Sequence, residues 1–193
     1  NGSFRRDGSS AFSYTGNQWQ NFYSVGAGWL MSEEKFMKDI SWLDMLKLKG
    51  SWGTLGNQNL STAYPAEPLL KNAYSAIFGK PSIIYPGYQL AYLPNPNLRW
   101  EKVEAWEVGF ETNMLRNRLH LEGVFYKKNT KDLLAEVPGI SGTIPGIGNL
   151  GEIRNSGVEL AATWSDQIGD WGYSVSANLT TISNKVKSLV QEG

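Results

Sequence analysis

Few residues in this chain have the types and spacing for chemistry. Glu101, Glu104, Glu107 and Glu111 stand close together, as two carboxylates must for acid–base cleavage of a glycosidic bond. Alternation puts Glu101, Glu107 and Glu111 on one side of an extended chain with no separate partner acid, so a solvated lining accounts for them better. His120 is the only histidine and there is no cysteine, which leaves zinc without a ligand set and excludes disulfides and thiol catalysis. Gly146-Ile147-Gly148-Asn149-Leu150-Gly151 has the spacing G-x-G-x-x-G. A dinucleotide site needs that run after a strand and at the start of a helix. Here Pro145 precedes it and a strand follows. Asn178-Leu179-Thr180 matches a glycosylation sequon but falls inside an expected strand. No P-loop, nucleophile elbow or basic aromatic groove occurs, so neither cofactor nor enzymatic activity is expected. What remains is a set of tyrosines, Tyr64, Tyr74, Tyr85, Tyr88 and Tyr92, together with Phe78 in one long irregular stretch. Rings with a polar edge suit a sugar face or a protein lid, and they equally suit packing of the loop upon itself.

The elements that position these residues are extended. From Leu98 to Leu134 the chain reads as a long antiparallel hairpin. Trp106, Val108 and Phe110 lie on one face, opposite Glu107, Gly109 and Glu111. Met114-Leu115-Arg116-Asn117 is the turn, after which Leu119, Leu121, Gly123 and Phe125 oppose His120, Glu122 and Lys128. Earlier, Phe4 to Ser10 ends a strand at an Asp-Gly turn signal. Gln20 to Met31 places Tyr23, Val25, Ala27 and Trp29 against Ser24, Gly26 and Gly28. Ser32-Glu33-Glu34-Lys35 resembles a capped helix start, so 36–43 is expected as a short helical connection. Leu46 to Trp52 alternates again. A last hairpin carries Val158, Leu160, Ala162 and Trp164, turns at 166–170, and returns through Trp171, Tyr173, Val175, Ala177 and Leu179.

This amounts to about seven long strands in an all-β, up-and-down antiparallel meander. Long loops, at about 54–97 and 135–150 and after Asp7, alternate with short connections, and in a meander alternate connections emerge at one end. Eighteen basic residues balance eighteen acidic ones, so no net field draws in nucleic acid. No run approaches the roughly 18 apolar residues of a membrane-spanning helix, which says nothing about a membrane barrel, whose strands alternate. Alternation fits two architectures: a soluble β-sandwich that binds carbohydrate, or part of the wall of a large transmembrane β-barrel. Strand length, the long–short rhythm and tryptophans near strand ends (Trp52, Trp100, Trp164, Trp171) favour the barrel.

Ordered blocks then carry a family resemblance. Arg5-x-Asp7-Gly8-Ser9-Ser10-x-Phe12, Ser24-Val25-x-Ala27-Gly28-Trp29 and Leu46-Lys47-Leu48-Lys49-Gly50-Ser51-Trp52-Gly53 come first. Asn95-Pro96-x-Leu98-x-Trp100-Glu101, Tyr126-x-Lys128-x-Thr130-x-Asp132-Leu133-Leu134 and Asn149-x-Gly151-x-Ile153-x-Asn155-x-Gly157-Val158-Glu159-Leu160 follow. Their succession resembles the SusC/RagA-like family of TonB-dependent outer-membrane transporters. The resemblance implies a plugged barrel of the 22-stranded class. Such a barrel imports glycan or peptide oligomers, is driven by the TonB complex, and is paired with a SusD-like surface lipoprotein as lid. Residues 1–193 would be a middle-to-late slice of that wall, without plug or terminal strands, and the two long loops would be extracellular. Trp106, Val108, Phe110, Leu121, Phe125, Leu160 and Leu179 would meet outer-membrane lipid. Glu101, Glu107, Glu111, Glu122, Glu159 and Asn178 would face plug and solvent. The five tyrosines are candidates for ligand or lid contact.

Overall fold

The computed structural model describes residues 1–61, 63–137 and 145–189. Its strands in chain order are β1 (Gly2–Gly8), β2 (Trp19–Leu30), β3 (Leu43–Asn57), β4 (Leu70–Asn72), β5 (Ala76–Phe78), β6 (Ile83–Tyr85), β7 (Tyr88–Leu90), β8 (Glu101–Met114), β9 (Leu119–Lys131), β10 (Leu134–Val137), β11 (Gly146–Asn149), β12 (Gly151–Ile168) and β13 (Trp171–Leu189). Seven of them form one antiparallel sheet in the order β1-β2-β3-β8-β9-β12-β13. Each long strand therefore pairs with its neighbours along the chain, which is the expected meander. The remaining described strands make three two-stranded ladders in the loops. No second large sheet stacks on the first among the described residues, so the β-sandwich expectation is set aside.

The connections 9–18, 58–100 and 132–150 leave one end of the sheet, while 31–42, 115–118 and 169–170 leave the other; the two longest, 58–100 and 132–150, share the first end. Several boundaries differ from the sequence reading. β3 extends to Asn57 because its ladder with β8 continues to Asn57–Glu101, so the long loop starts later than 54. The loop 135–150 is closed by the β10–β11 ladder, and part of it lies outside the described residues. The last turn needs only Gly169 and Asp170, with Gly169 at φ 61°.

The helical connection expected at 36–43 does not form. A 3-10 turn spans Met31–Glu33, capped by Leu30 rather than Ser32, and successive i→i+3 bonds then carry the chain to Leu43. So short a helix has too little packing to offset its nucleation cost. The Trp29 indole also takes the Glu34 carboxylate at 3.1 Å, away from the helix start it would have served.

The buried core lies on neither sheet face. Phe12, Phe22, Leu98, Trp100 and Ile147 form it at the root of the long loops, with Leu60 and Leu134 packed against it. The Phe12 and Trp100 rings are 5.3 Å apart, and the Phe22 ring meets Trp100 edge-on at 6.0 Å. Beside this core β2 and β3 part company. Their ladder ends at Ser24–Gly53, and the Thr54 hydroxyl then fills the gap, accepting from the Tyr23 amide at 3.0 Å and donating to its carbonyl at 3.4 Å. Thr54→Val keeps the shape and removes both bonds. Its expected cost is about 1–3 kcal/mol, read as faster amide exchange at Tyr23 with the rest of β2 unchanged.

Candidate functional site: a two-faced wall and the loops at its end

The sheet separates two environments. One face carries Tyr23, Val25 and Trp29 on β2, Leu48 and Trp52 on β3, and Trp106, Val108 and Phe110 on β8. Leu121 and Phe125 on β9, Leu160 and Trp164 on β12, and Val175 and Leu179 on β13 continue it. The ladders fix this facing by setting Trp52 opposite Trp106, Val108 opposite Phe125, and Leu160 opposite Leu179. Many of these side chains are exposed, Val108 at 57% and Leu179 at 59%. Tryptophans lie toward both ends of the band: Trp52 and Trp106 nearer the long loops, Trp29, Trp164 and Trp171 nearer the short turns. Trp100, expected with them, is instead buried in the loop core.

The band is not level with the ladder. Partners traced from Gly26, midway along the β2 part, run through Ser51, Glu107, Tyr126 and Gly157 to Ile182. On β13 the middle of the band is Val175, about seven residues nearer the short turn. Over five strand spacings, at about 3.4 Å per residue and 4.8 Å per strand, that offset corresponds to strands leaning roughly 45° to the band. Transmembrane barrels have strands tilted by about 35–45°.

The opposite face is polar. Lys47 pairs with Glu111, Glu111 with Glu122, and Lys49 forms an ion pair with Glu122. His120 sits on this face near the short turn, its Nδ1 bonded to Asn113 Oδ1 at 2.6 Å. Beside the Lys49–Glu122 pair an open trough of about 700 Å³ is floored by Gly26, Gly28, Gly50 and Gly109, with Lys49 and Glu107 on its rim. Glu159 and Asn178 share the face through the β12 and β13 ladders.

Glu101 does not line it. This carboxylate is 8% exposed and closes the root of the loops, accepting from Asn57 Nδ2 on Oε1 and from the Leu134 amide on Oε2, each at 3.2 Å. Asn149 does the same work beside it. Its side chain accepts from the Arg99 amide at 3.0 Å and donates to the carbonyls of Arg99 at 2.8 Å and Asp132 at 2.9 Å. Asn17 Nδ2 donates to the Leu98 carbonyl and the Trp100 indole donates to the Asn17 carbonyl, both at 3.0 Å. Arg99 adds an ion pair to Asp132 at 2.7 Å. One knot therefore ties all three long loops.

The G-x-G-x-x-G run lies in this knot, on β11 and the start of β12, and opens no helix. A Cβ at Gly146 would stand 2.4 Å from the Leu93 carbonyl oxygen, and one at Gly148 would stand 2.8 Å from Val137. The glycines let β11 press against its neighbours. The sequon lies within β13, as its position implied.

Above the knot the tyrosines diverge. Tyr74 is 90% exposed, Tyr85 and Tyr88 are exposed, and the Tyr85 ring meets Phe78 at a tilt, 6.0 Å between centres, on the β5–β6 hairpin. Tyr92 is buried at 9% exposure, and its hydroxyl donates to the Tyr64 carbonyl at 2.6 Å. Burial, with Glu67 nearby, raises the Tyr92 pKa above the ordinary tyrosine value. Tyr92 thus supports the half-exposed Tyr64, while Tyr74, Tyr85 and Tyr88 form the open surface.

The family of TonB-dependent receptor-like β-barrels matches residues 1–192. The chain belongs to that family. It is 33% identical to the TonB-dependent receptor SusC of Bacteroides thetaiotaomicron over 96% of this chain and 19% of SusC. A TonB-dependent receptor of Formosa agariphila is 34% identical over 96% of this chain and 18% of its own length. Among solved structures, the RagAB peptide importer in its closed-closed state superposes with a TM-score of 0.83 at 31% identity, covering 99% of this chain and 20% of that one. This TonB-dependent receptor-like chain therefore spans about a fifth of the relatives it matches. The barrels of this family are outer-membrane proteins.

The knot residues Asn149, Asn17 and Asp132 went unassigned in the sequence reading, and Glu101 was expected on the polar face instead. The available signal was an asparagine flanked by glycines and a glutamate directly after a tryptophan, and neither reveals burial.

Proposed function

We propose that this chain is a sector of the wall of a plugged outer-membrane transporter that imports nutrient oligomers, glycans or peptides. One observation carries the reading. A leaning antiparallel wall has one apolar face edged with tryptophan, and its two longest loops, 58–100 and 132–150, leave the same end. Outer-membrane barrels have short periplasmic turns and longer extracellular loops. The apolar face then meets lipid, and the polar face with its glycine-floored trough meets plug and water. The long stretches at about 54–97 and 135–150 lie outside the cell. A SusD-like lipoprotein closes over them, and the TonB complex acts through the plug. Of the five loop tyrosines, Tyr74, Tyr85 and Tyr88 reach ligand or lid, and Tyr92 holds Tyr64 in position for the same contact. SusC and the RagAB peptide importer support a transported oligomer as the class of cargo. No catalytic step is assigned to the chain.

The test is growth of a strain with the full-length receptor gene replaced by a Tyr74→Ala, Tyr85→Ala, Tyr88→Ala allele, beside a deletion strain. The deletion is expected to abolish growth on its oligomer while sparing growth on the monomers, and the triple variant is expected to slow it. Unchanged growth of the deletion strain on every oligosaccharide and peptide offered would remove the import reading. Unchanged growth of the triple variant alone would remove the tyrosines from it.

A further inference from the structure

Past the Trp52–Trp106 row, the apolar face turns basic on β8, β9, β12 and β13. Lys102, Lys127, Lys131, Arg154 and Lys185 stand there by strand alternation, with Glu104 and Glu152 as the acids. The register creates two pairs of like charge, Lys102 directly opposite Lys131 and Arg154 directly opposite Lys185. Like charges so placed destabilise an antiparallel sheet. The compensation within the chain is thin. Lys131 Nζ is 3.8 Å from Glu104, a carboxylate that the Trp52 indole also engages at 3.1 Å, and Arg154 is 4.0 Å from Glu152. Arg154 Nε donates to Asn129 Oδ1 at 2.8 Å, which holds the guanidinium toward β9, the strand that carries Lys127 and Lys131. Lys127 Nζ lies 5.9 Å from the centre of the Trp106 ring, at the edge of the apolar band. One surface thus passes from apolar to cationic within a few residues.

We propose that this patch binds the phosphate of a membrane lipid headgroup, whose acyl chains lie along Trp106, Phe125 and Val158. The inference rests on the proposed lipid-facing role of the apolar face. Continuity with the band selects the occupant, because a lipid anchored on those side chains places its headgroup at the level of the cations. A soluble anion makes no use of the apolar side chains. An arginine with lysines on the neighbouring strands of the same face suits a phosphate, and each cation near a membrane surface adds to the attraction. The anion also supplies the charge that the two like-charged pairs lack.

The test uses the full-length receptor in phosphatidylcholine nanodiscs doped with lipid A or with phosphatase-treated lipid A, with retained lipid read by native mass spectrometry. Lys131→Glu combined with Arg154→Glu is expected to lower retention of the phosphorylated lipid by on the order of tenfold or more. The same double variant is expected to melt close to wild type, because each reversal places an acid opposite a remaining cation, Lys102 or Lys185, which offsets the ion pairs lost to Glu104 and Glu152. Lys38→Glu, in the connection at the other end of the sheet, is expected to change neither quantity. Lys131→Gln with Arg154→Gln is expected to fall between wild type and the reversal. Equal retention by wild type and reversal overturns the proposal, as does equal retention of the phosphorylated and dephosphorylated lipids. Displacement by millimolar inorganic phosphate alone reassigns the patch to free phosphate and overturns it too. A receptor that stays monodisperse without detergent instead removes the membrane reading beneath it, which separates the two failures.

Discussion

Val108→Arg and Leu160→Arg each lower the stability of the inserted barrel by about 2–4 kcal/mol, the cost of a cation near the midplane of a bilayer. Val108 lies in the middle of the band on β8, between Gly50 and Phe125 in the ladders, and Leu160 lies opposite Gly123 and Leu179. Neither has an acid on its own face within the adjacent ladder positions, so the guanidinium gains no partner there. Glu107→Arg, one residue away on the polar face, is the matched comparison and is expected to insert normally. The measurement is membrane yield together with urea unfolding of the full-length receptor in liposomes. Equal yields of wild type and both apolar-face variants would contradict the facing.

Asn149→Ala is expected to loosen the loops without unfolding the wall. It removes three hydrogen bonds, two to the Arg99 main chain and one to the Asp132 carbonyl, in a site where Asn149 itself is 7% exposed. At about 1 kcal/mol per net bond, the loss is about 3 kcal/mol. The loops 58–100 and 132–150 share this side chain, so both should become sensitive to protease on intact cells at once. Gel mobility of the unheated barrel should stay as in wild type. Cleavage confined to one loop would show that the knot does not couple them.

The strands were legible because period-two alternation is a local signal, and here nearly every residue from Trp106 to Phe125 obeys it. The long–short rhythm of the connections likewise gave the end at which each loop emerges. Glu101 and Trp100 were misplaced for the complementary reason. Alternation assigns a face, but at a strand end the neighbouring loop can cover either face, and Phe12 and Asn149 come from far away in sequence. The helix expected after Ser32 failed on the same ground. Its cap residues were present, yet the Trp29 indole engages Glu34 and successive i→i+3 bonds take the place of helical ones. The tyrosines were recognised as a group, but only the bond from Tyr92 to the Tyr64 carbonyl distinguishes the supporting ring from those left open. That pairing depends on the fold of the whole 58–100 segment.

The lean of the strands sets how wide a cylinder they can enclose. An upright strand takes up about 4.8 Å of circumference, whereas one leaning by roughly 45° takes up nearer 7 Å. The same number of strands then surrounds a bore about 40% broader. A cylinder of such strands gains room for a bulky cargo through the angle at which its staves are set rather than through added chain.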